Sequence, residues 1–258
     1  MSPNLPYQVL LEKELEIAGI RTGIVNQHDK IIPFWAHHLQ REPTEDNPNH
    51  FRKAHLLHVD QHDDMKADVK HLDQLTTDPE GLLQFVIEHT HSGNFLFLAD
   101  FLKMLGSIYW YKPEERTNVD VFRDERGYGW RSSSNRYHNA VWRLAGNECD
   151  KTPLTIAHYK KDMWGEMIPN DKDQGTDFIL DIDLDAFLCI GTYPHEDKTY
   201  AAYQKRLADT RELLTQVPRR PDLISIARSC SPIFPYVPAD KVELIQRDVV
   251  TMLGELYG

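Results

Sequence analysis

Acidic side chains at every second position of an otherwise apolar strand are the most restrictive feature of this sequence. Phe178-Ile-Leu-Asp181-Ile-Asp183-Leu-Asp185 is one such run. A second stretch, His58-Val-Asp60-Gln-His62-Asp-Asp64, follows the apolar segment Ala54 to Leu57 and reads as the end of a buried strand. Side chains alternate between the faces of a strand, so Asp60, His62 and Asp64 project together if strand geometry continues through them. Carboxylates entering a buried sheet are costly unless they are paired or bound to cations. The two stretches are therefore read together as a metal site. Carboxylate oxygens favour Mn or Mg over zinc, and the imidazoles tilt the choice towards Mn or Fe. The acids and histidines exceed what one ion needs. Two ions sharing aspartates use them better, and such a pair generates hydroxide near neutral pH, so the implied reaction is hydrolysis.

The rest of the chain supplies a frame for these stretches. Its 258 residues fit one α/β domain spanning 1–258. Apolar and β-branched content predicts strands over 19–25, 54–60, 107–111, 154–158, 178–185 and 223–227. Helices are expected from Ile31 past His38, within 72–88, and over 95–105, 200–215 and 240–256, after a helical or irregular lead over 7–17. Alternation of this kind implies a single-domain three-layer α/β/α fold with a mostly parallel central sheet. Ligands in such folds bind at the carboxyl ends of strands, where both acidic stretches fall. Residues 113–150 are rich in Arg, Asp, Ser and Gly without clean periodicity, and read as a hairpin carrying loops or as an insertion near the site mouth.

Composition narrows the partners. Forty acidic against 29 basic residues give a net charge of -11, which disfavours nucleic acid and anionic membrane and mildly favours a cationic substrate. Cys149, Cys189 and Cys230 are widely spaced, odd in number and form no Cys-x-x-Cys pair, so a reducing cytoplasmic setting is expected. No apolar run approaches a membrane span, and Met1-Ser-Pro-Asn lacks the basic and apolar regions of a signal peptide.

The motifs also carry a resemblance. Asp60-Gln-His62-Asp-Asp64 is similar to the Asp-x-His-x-Asp motif of the arginase-like ureohydrolases, and Asp181-Ile-Asp183 resembles their second Asp-x-Asp motif. Asn26-Gln-His28-Asp29 stands where that superfamily has an earlier metal-binding histidine, and Ser92-Gly93-Asn94 matches a segment of its substrate pocket. His28 with Ile32-Pro-Phe-Trp35, the tract Ile108-Tyr-Trp-Tyr-Lys-Pro113, and Leu180 to Asp185 look like a divergent branch. That branch includes peptide arginases, which convert arginine side chains of ribosomal precursor peptides to ornithine. The resemblance runs from about residue 19 to the C-terminus and leaves 113–150 largely uncovered.

Carried over by position, the resemblance implies two Mn ions. One would be held by His28, Asp60, Asp64 and Asp181, the other by Asp60, His62, Asp181 and Asp183, with a bridging hydroxide attacking the guanidinium carbon to release urea. The implied partner is an arginine-containing precursor peptide, and relatives of this kind often form homo-oligomers. Two departures stand out. Phe95 and Leu96 follow Ser-Gly-Asn where the superfamily has a proton-shuttling histidine, which leaves His91 or His89 for that task. The late strand reads Ser225-Ile-Ala-Arg228 where classical arginases carry a glutamate for the guanidinium. Asp185 is the first candidate to replace that glutamate, with Asp63 and Asp100 behind it. Arg228 either turns away from the pocket or meets a site aspartate or substrate carboxylate. Plainer uses exist for several of these residues: Asn94 as a cap for the helix that starts at Phe95, His89 and His91 as loop residues, and Trp110, Trp130 and Trp142 as packing. The alternatives to peptide-arginine hydrolysis are a hydrolase of a small free guanidine compound or another C-N bond, and a metal-stabilised binder of basic peptides without chemistry.

Overall fold

A computed structural model describes residues 6–42, 50–113, 140–144, 152–155, 176–190, 200–232 and 235–258. Among the described residues, eight strands form one sheet: β1 (Lys13–Ile17), β2 (Ile20–Val25), β3 (Ala54–Val59), β4 (Leu105–Lys112), β5 (Ala140–Leu144), β6 (Thr152–Thr155), β7 (Asp177–Asp183) and β8 (Leu223–Ala227). Their order across the sheet is β1-β2-β8-β7-β3-β4-β5-β6. The five central strands, β2, β8, β7, β3 and β4, are mutually parallel. Antiparallel neighbours close both sides, β1 on β2, and β5 and β6 beyond β4.

Helices cover both faces, as three layers require. On one face lie α1 (Ile32–Leu39), α2 (Pro79–His89) and α3 (Phe95–Phe101), packed on Leu56, Ile108, Ile179 and Leu223. On the other lie α4 (Tyr200–Gln216) and α5 (Val242–Tyr257), packed on Leu57, Val59, Leu180, Ile182, Ile224 and Ile226. Central strands buried on both faces read as near-continuous apolar runs, and every residue of β8 is buried. The chain leaves β3 for β4 through α2 and α3 on one face, and leaves β7 for β8 through α4 on the other. The junction of β3 with β7 is therefore a topological switch point, the place where folds of this kind bind ligands at the carboxyl ends of their strands.

Several boundaries differ from those expected. The lead begins with a 3-10 turn at Pro6–Val9 but ends in strand β1, and Ala18 and Gly19, both at positive φ, turn it back onto β2. Its Lys-Glu-Leu-Glu-Ile sequence is charged because it is an edge strand, and charge there discourages pairing with other chains. The helix expected over 95–105 stops at Phe101, and Lys103 at positive φ redirects the chain into β4, which starts at Leu105. Within 113–150, β5 pairs antiparallel with β4, while residues 114–139 and 145–150 lie outside the described residues, as do 156–158 of the strand expected over 154–158. Strand β3 ends at Val59, so Asp60 to Asp64 form a loop and do not continue the strand. Among the described residues, no helix is long and apolar enough to cross a membrane.

Candidate metal centre

One row of residues crosses the sheet at the switch point. In register on adjacent strands lie Gly23 of β2, Ser225 of β8, Asp181 of β7, His58 of β3 and Trp110 of β4. Alternation places His58 on the face of Leu56, and Asp181 and Asp183 on the face of Ile179, beneath α1 to α3, and Asp60 follows directly after β3. The three middle members are bonded to one another. Ser225 Oγ donates to Asp181 Oδ1 at 2.5 Å, and His58 Nδ1 lies 2.7 Å from Asp181 Oδ2. Trp35 of α1 donates its indole N–H to Ser225 Oγ at 3.1 Å, and Trp110 Nε1 donates to the Asp60 carbonyl at 2.8 Å. Gly23 makes room for this arrangement, since a Cβ there would sit 2.7 Å from the Phe34 ring.

The ends of the strands complete the cluster. His28, just past β2, has Nε2 at 2.9 Å from Asp181 Oδ2, and Nδ1 at 3.1 Å from both Asp60 Oδ2 and Asp183 Oδ2. Asp64 Oδ2 is 3.4 Å from the same Nδ1. Asp185, in the 3-10 turn after β7, lies 3.1 Å from His62 Nδ1, and Asp60 lies 3.5 Å from that atom. The loop after β8 adds Ser229, whose hydroxyl donates to Asp183. Asp64 and Ser229 both hold positive φ, 49° and 47°, in the left-handed region that costs a residue with a Cβ of order 1 kcal/mol or more. In both cases the unusual backbone turns a polar side chain into the cluster.

Thus the structure brings His28, Asp60, His62, Asp64, Asp181, Asp183 and Asp185 to one place, and adds His58. Sequence reasoning passed over His58, although its signal was present: an imidazole two residues before Asp60, on the same face of an apolar strand. The cluster is almost wholly buried, with His28, His58, Asp60 and Asp181 at 0% exposure. His62, with 28% of its side chain exposed and its ring 5.1 Å from that of Tyr236, forms the solvent side.

Electrostatics reflect this crowding. Burial works against the charged form of His28, yet Asp181, Asp183 and Asp60 outweigh it and hold its pKa well above the ordinary value. His62 is raised in the same way, against burial, by Asp185 and Asp60. Asp60 and Asp181 are pulled below the usual carboxylate range, again against burial, by His58 and His28. Asp64 moves the other way: burial and the neighbouring Asp60 carboxylate push it up to about 7. Burial, Asp183 and Asp60 also raise Asp185 well above its normal value. Five carboxylates outnumber three imidazoles, and the raised pKa values of Asp64 and Asp185 express the cost of ionising the excess.

A cation would answer both the charge and the open valences. His28 Nδ1, His58 Nε2, Asp60 Oδ2, His62 Nε2 and Asp185 Oδ2 are buried atoms without a hydrogen-bond partner. Buried polar atoms are nearly always bonded, so five together need an explanation, and an ion bound through their lone pairs is one. The donor atoms of His28, His58 and Asp60 lie within 4.8 Å of one another, and so do those of Asp60, Asp183 and Asp185. The buried His/Asp groups can therefore hold metal ions.

The other candidates lie elsewhere. His91 contacts Asp68 at 3.2 Å, accepts from the Gly93 amide, and is held by the Asn94 side chain through its own amide. His89, at the end of α2, packs against Phe85 and His71, with Glu88 at 3.6 Å. Asn94 occupies the N-cap position of α3, but its side chain makes no cap bond; it donates to Asp68 instead. Ser92 lies in the turn between them, half-buried. Phe95, in the position that follows Ser-Gly-Asn, is fully buried, with its ring 4.4 Å from that of His28. Arg228 turns away from the cluster and pairs with Glu243 and, at 3.6 Å, with Glu12. Asp63 caps the Met65 amide, and Asp100 sits half-buried in α3. Comparison of the sequence with protein-family models and with curated proteins returns no match.

Proposed function

We propose that this chain is a metal-dependent hydrolase of a C-N bond, and that its substrate is the guanidinium group of peptidyl arginine, cut to ornithine and urea. The carrying observation is the set of five buried nitrogen and oxygen atoms without a hydrogen bond, on imidazoles and carboxylates crowded at the carboxyl ends of parallel strands. The resemblance of the two aspartate motifs to those of arginase-like ureohydrolases supplies the reaction class. The same resemblance implies two Mn ions, a choice with which the carboxylate-rich donor set is compatible. Such ions supply Lewis acidity and lower the pKa of bound water towards neutrality.

The chain's own residues then have definite tasks. Asp60 and Asp181, each touched by His28 and His58, would be the carboxylates shared by a pair of ions, as the resemblance implies. Ser225 and Ser229 fix the rotamers of Asp181 and Asp183, so the donors are held before any ion arrives. The Phe95 ring closes the inner side of His28 and keeps solvent from it. Reaction therefore takes place on the side of His62 and Tyr236, where the cluster meets solvent. The excess of carboxylates over imidazoles favours a cationic group approaching from that side. Phe95 in the shuttle position, and Arg228 engaged with Glu12 and Glu243, favour a second reading: a hydrolase of a small guanidine compound or another C-N bond.

The test is urea release by Mn-loaded protein on an arginine-containing peptide and on free arginine, with Asp183→Asn as the control. Urea from the peptide, matched by mass loss at arginine and absent in the control, is expected. Urea from free arginine alone selects the small-molecule reading. No urea from either, with metal bound, refutes ureohydrolysis.

A further inference from the structure

Cys189 has no part in the donor sets described so far. It is buried at 1% exposure and follows the turn that carries Asp185. A donor atom of each of His62, Asp185 and Cys189 lies within 4.8 Å of the other two, close enough for a nitrogen, an oxygen and a sulfur to share one ion. Asp185, itself 1% exposed, has its Oδ2 without a hydrogen bond, and that oxygen is 3.1 Å from His62 Nδ1. His62 Nε2 is also without a partner. The Ile190 amide donates to the Tyr236 carbonyl at 2.7 Å, which ties the segment after Cys189 to the one carrying the Tyr236 ring beside His62.

We infer that His62, Asp185 and Cys189 form a mixed nitrogen, oxygen and sulfur subsite, at the solvent side of the cluster, that takes a zinc-like divalent ion. The inference rests on the reading of the cluster as a metal centre and deepens it. Thiolate with imidazole and one carboxylate suits Zn(II) and Co(II), while hard Mn(II) prefers oxygen-rich surroundings. The inner donors, His28, His58, Asp60, Asp64, Asp181 and Asp183, carry no sulfur. The two ends of the cluster therefore differ in softness, and Asp185, which also lies within 4.8 Å of Asp60 and Asp183 through its donor atoms, joins them. Ion capture at Cys189 releases the thiol proton, leaving a sulfur-metal bond and no change in oxidation state.

Cobalt(II) distinguishes the sites without reference to turnover. Protein stripped with a chelator and loaded with Co(II) is expected to show visible ligand-field absorption together with a near-ultraviolet sulfur-to-cobalt charge-transfer band. Cys189→Ser should lose the charge-transfer band and keep the ligand-field absorption of the inner donors. Cys230→Ser and Cys149→Ser should keep both. Ligand-field absorption without a charge-transfer band in the unmodified protein overturns the proposal while leaving the metal centre standing. Absence of any cobalt spectrum overturns both. A charge-transfer band that persists in Cys189→Ser assigns the sulfur elsewhere and also overturns it.

Discussion

Replacing Ser225 by alanine isolates the supporting shell from the donors themselves. Ser225 is fully buried on β8, accepts from Trp35 Nε1 at 3.1 Å, and donates to Asp181 Oδ1 at 2.5 Å. Without its hydroxyl, the indole N–H of α1 loses its acceptor and Asp181 loses the donor that fixes its rotamer. An unsatisfied buried donor costs about 1–3 kcal/mol, which at about 2–4 °C per kcal/mol for a chain of this size lowers the metal-free Tm by roughly 2–12 °C. Metal at about 100 times its Kd adds about 2.7 kcal/mol to the stability of the unmodified protein, or roughly 5–11 °C. Loss of an outer partner weakens metal binding by about 10–100-fold. At the same metal concentration, the increment in Ser225→Ala should fall to about 1.4 to 0.4 kcal/mol, or roughly 1–6 °C. Differential scanning fluorimetry with and without Mn measures both numbers on the same samples. A lowered metal-free Tm with an undiminished metal increment would refute the assignment of Asp181 to the metal centre. Equal Tm values with and without metal in the unmodified protein would refute the centre itself.

Two further predictions follow from neighbouring features. Gly23→Ala puts a methyl group 2.7 Å from the Phe34 ring and should cost about 1–3 kcal/mol by overpacking, read as a lower urea midpoint; an unchanged midpoint would mean that α1 is not seated on β2 as described. His55 is held below the ordinary imidazole pKa by burial and then by Arg219, so the fold binds fewer protons there than the unfolded chain. Stability at this position is therefore fully present above about pH 6.5 and is lost as pH falls below it; His55→Gln should flatten the decline in Tm between about pH 7 and 5 relative to the unmodified protein, and parallel curves would contradict the burial argument.

Much of the site is legible without coordinates because its donors lie at strand ends, where period-two alternation sorts side chains by face. Asp181 and Asp183 need only the apolar pattern around them to be placed together. His58 obeys the same period with respect to Asp60, but an imidazole in an apolar strand is ambiguous until its neighbour on β7 is known. Ser225 and Ser229 give no local signal at all, since a serine acquires a structural task only from what the next strand presents. Strand β1 escapes the pattern because an edge strand is free to be charged on its open face, which erases the apolar run that marks a central strand.

From its residues alone the chain determined the α/β class, the order of its central elements, and the presence of a carboxylate and imidazole cluster at the carboxyl ends of strands. These follow from local periodicity and from the cost of burying charge, both of which act within a few neighbouring residues. Tertiary structure alone decided the strand order that sets β3 beside β7, and with it the pairing of His58 with Asp181. It likewise decided that Asp60 to Asp64 bend into a loop, that Arg228 faces Glu243, and that Cys189 meets His62 and Asp185. Those outcomes depend on contacts between residues far apart in the chain, whose geometry only the packed sheet and its covering helices define.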